Sequence, residues 1–427
     1  MSNVRIWGTL MRKPAGLPET FQAELYRRVA MAKYRVLSLD GGGSWALIQA
    51  KALMQMYGAE TSGWDVLRQF DLVSANSGGS IVLGCLVENM PLSKILDMFM
   101  DEAQRRAIFS PTDGVFNKIL EGLLGFGPKY SAEAKLGALR AALPGQGDKT
   151  LTDAIKGCLG QRGTGDPVRL LIVGFDYDRC SATFFRSAAA GGPAYGTGAV
   201  SGVTLAEAID ASTNAPVNYF DGPAVLANGY RYWDGAITGC NNPVLAGVTE
   251  AVTTTKEFTE VVALSIGTGT VKLPWPQAGQ EGQPYMAAPS DEGLVSDLKK
   301  LAGSILDDPP DMASFIAHVL TGSGAHVAPP ADSQIVRMSP MISPVWDAGT
   351  NAWKAPGNMT EEDFTTMVQM PMDALDPGQV TAISNYADLW LTDVAPNQPI
   401  RMDGDTLKRE LGQTTYSAAK AAWMAIR

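Results

Sequence analysis

Five short apolar runs limit what this chain can fold into. They are Tyr34–Leu39, Phe70–Val73, Val168–Phe175, Val261–Ile266 and Gln334–Met338, all rich in β-branched and aliphatic residues. Strands that are apolar on both sides must be covered on both faces, which a sheet open to water on one side does not provide. Between the runs lie stretches of helical periodicity, among them Ala46–Tyr57, Ile81–Asn89 and Leu205–Ser212. Alternation of this kind builds an α/β fold, a mostly parallel sheet with helices on its faces. No internal repeat with a period of about 20 to 50 residues points to a solenoid or propeller.

A length of 427 residues allows one large domain or two ordinary ones. Residues 1–32 read as an N-terminal extension and 33–272 as the core that carries the strand–helix alternation. Over residues 273–333 Pro and Gly thicken, beginning with LPWPQAGQEGQPY, and the segment reads as an insertion. Inside it Leu294, Leu298, Leu301 and Ile305 form one helical stripe, and Met312, Phe315, Ile316, Val319 and Leu320 form a second. The spacing predicts two amphipathic helices that either pack on the core or act as a lid or lipid-facing surface. Residues 334–427 supply the last core strand and a helical region, with Asp376 as N-cap and Pro377 at the first position of a helix.

Three constellations carry chemistry. Asp40-Gly41-Gly42-Gly43 directly follows the first run and precedes a helix. Consecutive glycines at such a turn leave backbone N–H groups uncovered near the positive end of a helix, a setting for a phosphate or a developing oxyanion. The same residues continue as Gly43-Ser44-Trp45-Ala46 and satisfy a dinucleotide-binding pattern, which would make the chain an oxidoreductase. Asp40 beside a pyrophosphate, and the lack of a ribose-binding acid at the end of the second strand, speak against that alternative. Next comes Ser74-Ala75-Asn76-Ser77-Gly78-Gly79-Ser80 between a strand and an apolar helix. A serine on that sharp turn, with small Ala75 and Gly79 two residues either side, has the pattern of a nucleophile elbow; taken alone, it equally suits a serine that only caps a helix. The third is Trp233-Asp234-Gly235-Ala236, which by itself reads as a turn.

What joins the second and third is the scarcity of histidine. The chain has two, His318 and His326. An exposed serine needs a base for its proton, and none of the first 317 residues is a histidine. Asp234 meets the need if folding brings it to Ser77 and burial raises its basicity. A triad drawing on His318 or His326 is the competing scheme. Neither lies on a strand-end turn.

Other classes are set aside by composition. A net charge of −10 argues against nucleic acid, whose phosphates are bound by clustered Lys and Arg. Cys85, Cys158, Cys180 and Cys240 are widely spaced, without a CxxC pair, and predict neither a metal site nor a disulfide framework. No stretch of about 18 apolar residues occurs and the first residues have no signal-peptide core, so the expectation is a cytoplasmic protein without a transmembrane segment.

The three constellations, in their order and spacing, resemble those of patatin-like phospholipases. Further matches are Ala211-Ser212-Thr213-Asn214-Ala215-Pro216 with Tyr219-Phe220, Asn241-Asn242-Pro243, Leu264-Ser265-Ile266-Gly267-Thr268-Gly269, and a weaker echo at Ile335–Met338. The resemblance implies a three-layer α/β/α sandwich, extended here by the helical insertion and C-terminal helices. It also implies a serine acyl hydrolase acting on fatty-acyl esters of lipids, at a membrane surface, with no cofactor or metal. In that family Ser77 is the nucleophile, Asp234 the base, and Gly41, Gly42 and Gly43 form the oxyanion hole, supported by Asp40, Ala75, Gly79, Gly235 and Ala236. Three departures stand out. Ala75 replaces the first glycine of the elbow, Trp45-Ala46 replace a basic residue and a glycine, and the Pro/Gly-rich insertion after Gly269 and the helical tail have no counterpart in the resemblance. A patatin fold without catalysis is the remaining alternative.

Overall fold

The computed structural model describes residues 33–108, 132–161, 165–188, 200, 202–216, 222–254, 260–275, 282–288, 294–321, 333–372, 374–401 and 411–427. Its centre is an eight-stranded sheet. The strands are β1 (Lys33–Leu39), β2 (Leu72–Ala75), β3 (Arg169–Asp176), β4 (Ser181–Arg186), β5 (Ala224–Val225), β6 (Arg231–Asp234), β7 (Glu260–Ile266) and, after a short β8 (Thr270–Val271) outside the sheet, β9 (Ile335–Met338). In space they run β5-β6-β3-β2-β1-β7-β9, with β4 on β3. The five strands anticipated from apolar runs form the parallel part, and β4, β5 and β6 pair antiparallel.

Successive residues of β1 serve opposite faces, as a strand's period of two requires. Leu37 and Leu39 enter the larger core, with α1 (Leu47–Tyr57), α2 (Ser77–Val87), α4 (Leu205–Ser212), α7 (Pro377–Leu391) and α8 (Tyr416–Ile426). Tyr34 and Val36 enter the second core, with α5 (Val244–Thr254) and α6 (Leu294–Leu320). Helices on both faces make the fold a three-layer α/β/α sandwich. A further helix, α3 (Ala132–Ala142), packs on α4.

The inserted segment differs from expectation. The two helices predicted there are one, α6, which runs through Pro309 and Pro310. The stripe of Ile316, Val319 and Leu320 is exposed; Ala313, Ser314, Ala317 and His318 face inward instead. Small side chains let a helix approach closely, and here that outweighs the larger apolar stripe. Of the first stripe, only the Ile305 side chain falls among the described residues, half-buried.

Sheet topology also fixes where the constellations meet. The chain moves from β1 outward through β2 to β3, and then returns to β7 and β9 on the other side of β1. Such a reversal opens a crevice beyond the carboxyl ends of the strands, the usual place for a ligand in open α/β sheets. A cleft of about 340 Å³ lies there, lined by Asp40, Gly41, Gly42, Trp45, Thr268 and Arg337 among others.

Candidate active site

Because β2 is only four residues long, β3 outruns it. Ala75, the last residue of β2, is in register with Ile172, whereas Gly174, two residues further along β3, pairs with Asp234 at the end of β6. The turn after β2 and the end of β6 thus meet at one point. Residues more than 150 positions apart in the chain become neighbours through the strand they share.

Ser77 is the first residue of α2 and has φ 46°, in the left-handed region that costs a non-glycine residue roughly 1–2 kcal/mol. Its N–H donates to Ser212 Oγ at 2.9 Å, and its carbonyl accepts from Ser80 Oγ at 2.6 Å. The turn rests directly on the end of β1: a Cβ on Gly79 would lie 2.4 Å from the Leu39 carbonyl oxygen. Ala75 lies in the strand itself, buried in the larger core. That explains why alanine can stand where the elbow pattern has glycine.

Asp234 is almost wholly buried. Its Oδ1 accepts the Ala236 N–H at 2.8 Å and Asn76 Nδ2 at 3.1 Å, while its own N–H donates to the Asn214 carbonyl at 2.9 Å. Burial pushes the Asp234 pKa up, opposed by the nearby Ser77 side chain, by the hydrogen bonds from Ala236 and Asn76 and by the charge of Lys135. Gly235 and Ala236 continue as a short 3-10 helix, Gly235–Thr238, for which Asp234 is the N-cap.

The glycine turn is fastened from several directions. Thr268 Oγ1 donates to the Gly41 carbonyl at 2.6 Å, and Gln49 Nε2 bridges the carbonyls of Asp40 and Ile266 at 2.8 and 3.1 Å. Gly41 N–H donates to the Asn241 carbonyl at 2.8 Å. That bond removes Gly41 from the expected set of oxyanion donors. Among the described residues the amides of Gly42 and Gly43 donate to no partner. Asp40 pairs with Arg337 at 2.6 Å, and burial raises its pKa to about 6 against that neighbour. Arg337 also donates to Ser265 Oγ at 2.8 Å, so the ion pair ties β9 and β7 to the turn.

The helix start after the glycines is covered. Ser44 N–H donates to the Met372 carbonyl at 3.2 Å and the Trp45 indole to the Pro371 carbonyl at 3.1 Å. A dinucleotide pyrophosphate needs that helix end open, so the oxidoreductase alternative loses its binding site. Of the histidines, His318 is buried on α6 with Nδ1 2.8 Å from Ser333 Oγ, away from the Ser77 turn in its hydrogen bonding. His326, like Tyr219 and Phe220, lies outside the described residues. Replacing both histidines by glutamine is expected to change ester turnover by less than about 10-fold, below the 10²–10⁴-fold typical of a general base. A loss of several orders of magnitude in steady-state assays would restore the triad.

Two participants were not singled out from sequence. Arg337 had a signal, a lone cation inside a buried strand run. Lys135, fully buried on α3, had none, because a lysine in AEAKLGALRAA looks like any solvated helix residue.

Fold and geometry together define an α/β/α hydrolytic enzyme. The chain belongs to the patatin-like phospholipase family, whose model matches residues 37–248, from within β1 into α5. It is therefore a lipid hydrolase. No curated protein matches the sequence. Among solved structures, the crystal structure of VipD from Legionella pneumophila is 12% identical, with 84% of this chain and 67% of that chain covered and a TM-score of 0.31, a distance at which the likeness carries no argument. Among the described residues no helix is long and apolar enough to cross a membrane.

Proposed function

We propose that the protein cleaves fatty-acyl esters of lipids through a Ser77–Asp234 dyad and an acyl-enzyme intermediate. The observation that supports this most directly is the convergence of the Ser77 turn on the buried Asp234 carboxylate, which accepts Nδ2 of the neighbouring Asn76 at 3.1 Å, at a serine held in left-handed geometry. Asp234 takes the hydroxyl proton as Ser77 Oγ attacks the ester carbonyl. The amides of Gly42 and Gly43 receive the oxyanion, where fixed donors stabilise the transition state more than the ground state. Collapse of the tetrahedral intermediate expels the alcohol, which takes the proton back from Asp234 and leaves an acyl-Ser77 ester. Water then attacks that ester, giving its proton to Asp234, and the fatty acid leaves as Ser77 is reprotonated. Every proton and electron pair is accounted for by the two side chains, the ester and water.

The cleft beside Gly41 and Gly42 is the place for the bound lipid, presented from a membrane surface. Domain limits follow the same reading: the core of residues 33–272 carries the dyad, and residues 273–333 and 334–427 complete and cover it. A fluorophosphonate probe followed by peptide mass spectrometry is expected to place the label on Ser77, with fatty acid released from acylglycerol or phospholipid substrates by the unlabelled enzyme alone. A label on a different serine, or none in an enzyme that hydrolyses these esters, would sink the dyad.

A further inference from the structure

Lys135 is a fully buried cation close to the dyad that the reaction above leaves unused. Its ammonium donates to the Asp210 carbonyl at 2.9 Å and to Asn214 Oδ1 at 3.0 Å, and it contacts Asp210 Oδ1 at 3.1 Å. The first two accept hydrogen bonds, and the third is a charge contact. All three belong to one turn, at the C-terminal end of α4, where the helix dipole favours a cation.

That turn holds both members of the dyad. Ser212 Oγ accepts the Ser77 N–H, and the Asn214 carbonyl accepts the Asp234 N–H. Lys135 binds the turn on either side of Ser212, so the relative placement of Ser77 and Asp234 depends on how it grips. A merely structural site would be served as well by an apolar side chain, since a buried charge pair gains little over good packing. The positive charge itself has a consequence, because it favours the carboxylate form of Asp234 while burial disfavours it.

The charged groups around this network are few. Among the described residues Lys135 is the charged side chain that acts on Asp234, alongside the uncharged groups of Ser77, Asn76 and the Ala236 amide. Lys135 faces Asp210 and Asp234, and Asp210 in turn feels Lys135, Glu207 and Arg140.

We propose that Lys135 is a positioning residue for the Ser77–Asp234 pair: it clamps the turn of residues 210–214 that carries both, and its charge keeps Asp234 ionised. The proposal rests on the dyad reading. It is tested by the pH profile of kcat/KM for a soluble p-nitrophenyl ester, measured on the full chain together with fluorophosphonate labelling of wild type. Lys135→Met is expected to move the acid limb to higher pH by about one unit or more, as loss of a nearby opposite charge does. Lys135→Arg, which keeps a cation on the turn, is expected to leave the limb near its wild-type position. Lys135→Gln, which keeps a hydrogen-bonding group without the charge, is expected to move it as Lys135→Met does, and supplies the decision if Lys135→Met does not fold. A shift that follows charge rather than side-chain volume is a signature that loss of packing alone does not produce. With wild type labelled at Ser77, an unmoved limb in a folded Lys135→Met or Lys135→Gln variant overturns the role of Lys135 alone; wild type that turns over the ester without labelling at Ser77 overturns the dyad, and Lys135 with it.

Discussion

Ester hydrolysis is expected to fall by at least about 10⁴-fold when Ser77 is replaced by alanine, the scale on which hydrolases lose activity with their nucleophile. The substitution removes one oxygen and little else. The bond from the residue 77 amide to Ser212 Oγ and the one from Ser80 to its carbonyl are both made by backbone atoms and remain. Alanine inherits the same φ of 46°, so the strain at the turn is carried over rather than relieved. The melting temperature should therefore move little while fatty-acid release disappears. Activity above about one per cent of wild type in a homogeneous preparation would reassign the nucleophile, given the 10⁴-fold scale.

Asp234→Asn is expected to cost about 10³- to 10⁴-fold, at the upper end of general base catalysis. An asparagine can keep the Oδ1 contacts with the Ala236 amide and Asn76 Nδ2, so the loop geometry should survive while the proton acceptor is lost. The wild-type pH profile carries the matching sign. A base works only when deprotonated, so activity must vanish as pH falls through the Asp234 pKa. Burial raises that pKa, which places the acid limb of kcat/KM above the ordinary aspartate value of about 4. A limb at or below that value, or one that persists in Asp234→Asn, would contradict Asp234 as the base.

The parallel half of the sheet was legible because its strands are apolar on both sides, a pattern that few other folds tolerate. β4, with Ser181 and Ala182 exposed, and the short β5 and β6 carry no such signature, and the pairing of β6 with β3 depends on the unequal lengths of β2 and β3. The proposed pair, Ser77 and Asp234, rests on motif and on the lack of histidine. Their supports were less legible. Asn76, Ser212 and Asn214 sit inside recognised motifs, but that Ser212 holds one amide and Asn214 the other emerges only from tertiary contacts. Gly41 was misread for the same reason: nothing local shows that the Asn241 carbonyl captures its N–H. In α6 the period was right and the buried face wrong, because hydrophobicity alone does not register how closely Ala313 and Ala317 allow the helix to approach.

The C-terminal helix has a consequence for how the enzyme forms. Trp423 stacks on Phe70 with ring centroids 5.8 Å apart, Tyr416 Oη donates to the Ala52 carbonyl at 3.4 Å, and Lys33 Nζ donates to the Ile426 carbonyl at 2.6 Å. These contacts join residues separated by more than 350 positions, and they bring α8 into the larger core that also holds residues of α1 and α2. Contacts that remote raise contact order and slow folding, since the loop must close before they contribute. Residues 40–234 contain the glycine turn, the serine and the aspartate, yet during synthesis that stretch emerges well before the helix that packs into its core. The nascent enzyme passes through an interval in which its catalytic parts exist as sequence but not yet as a site.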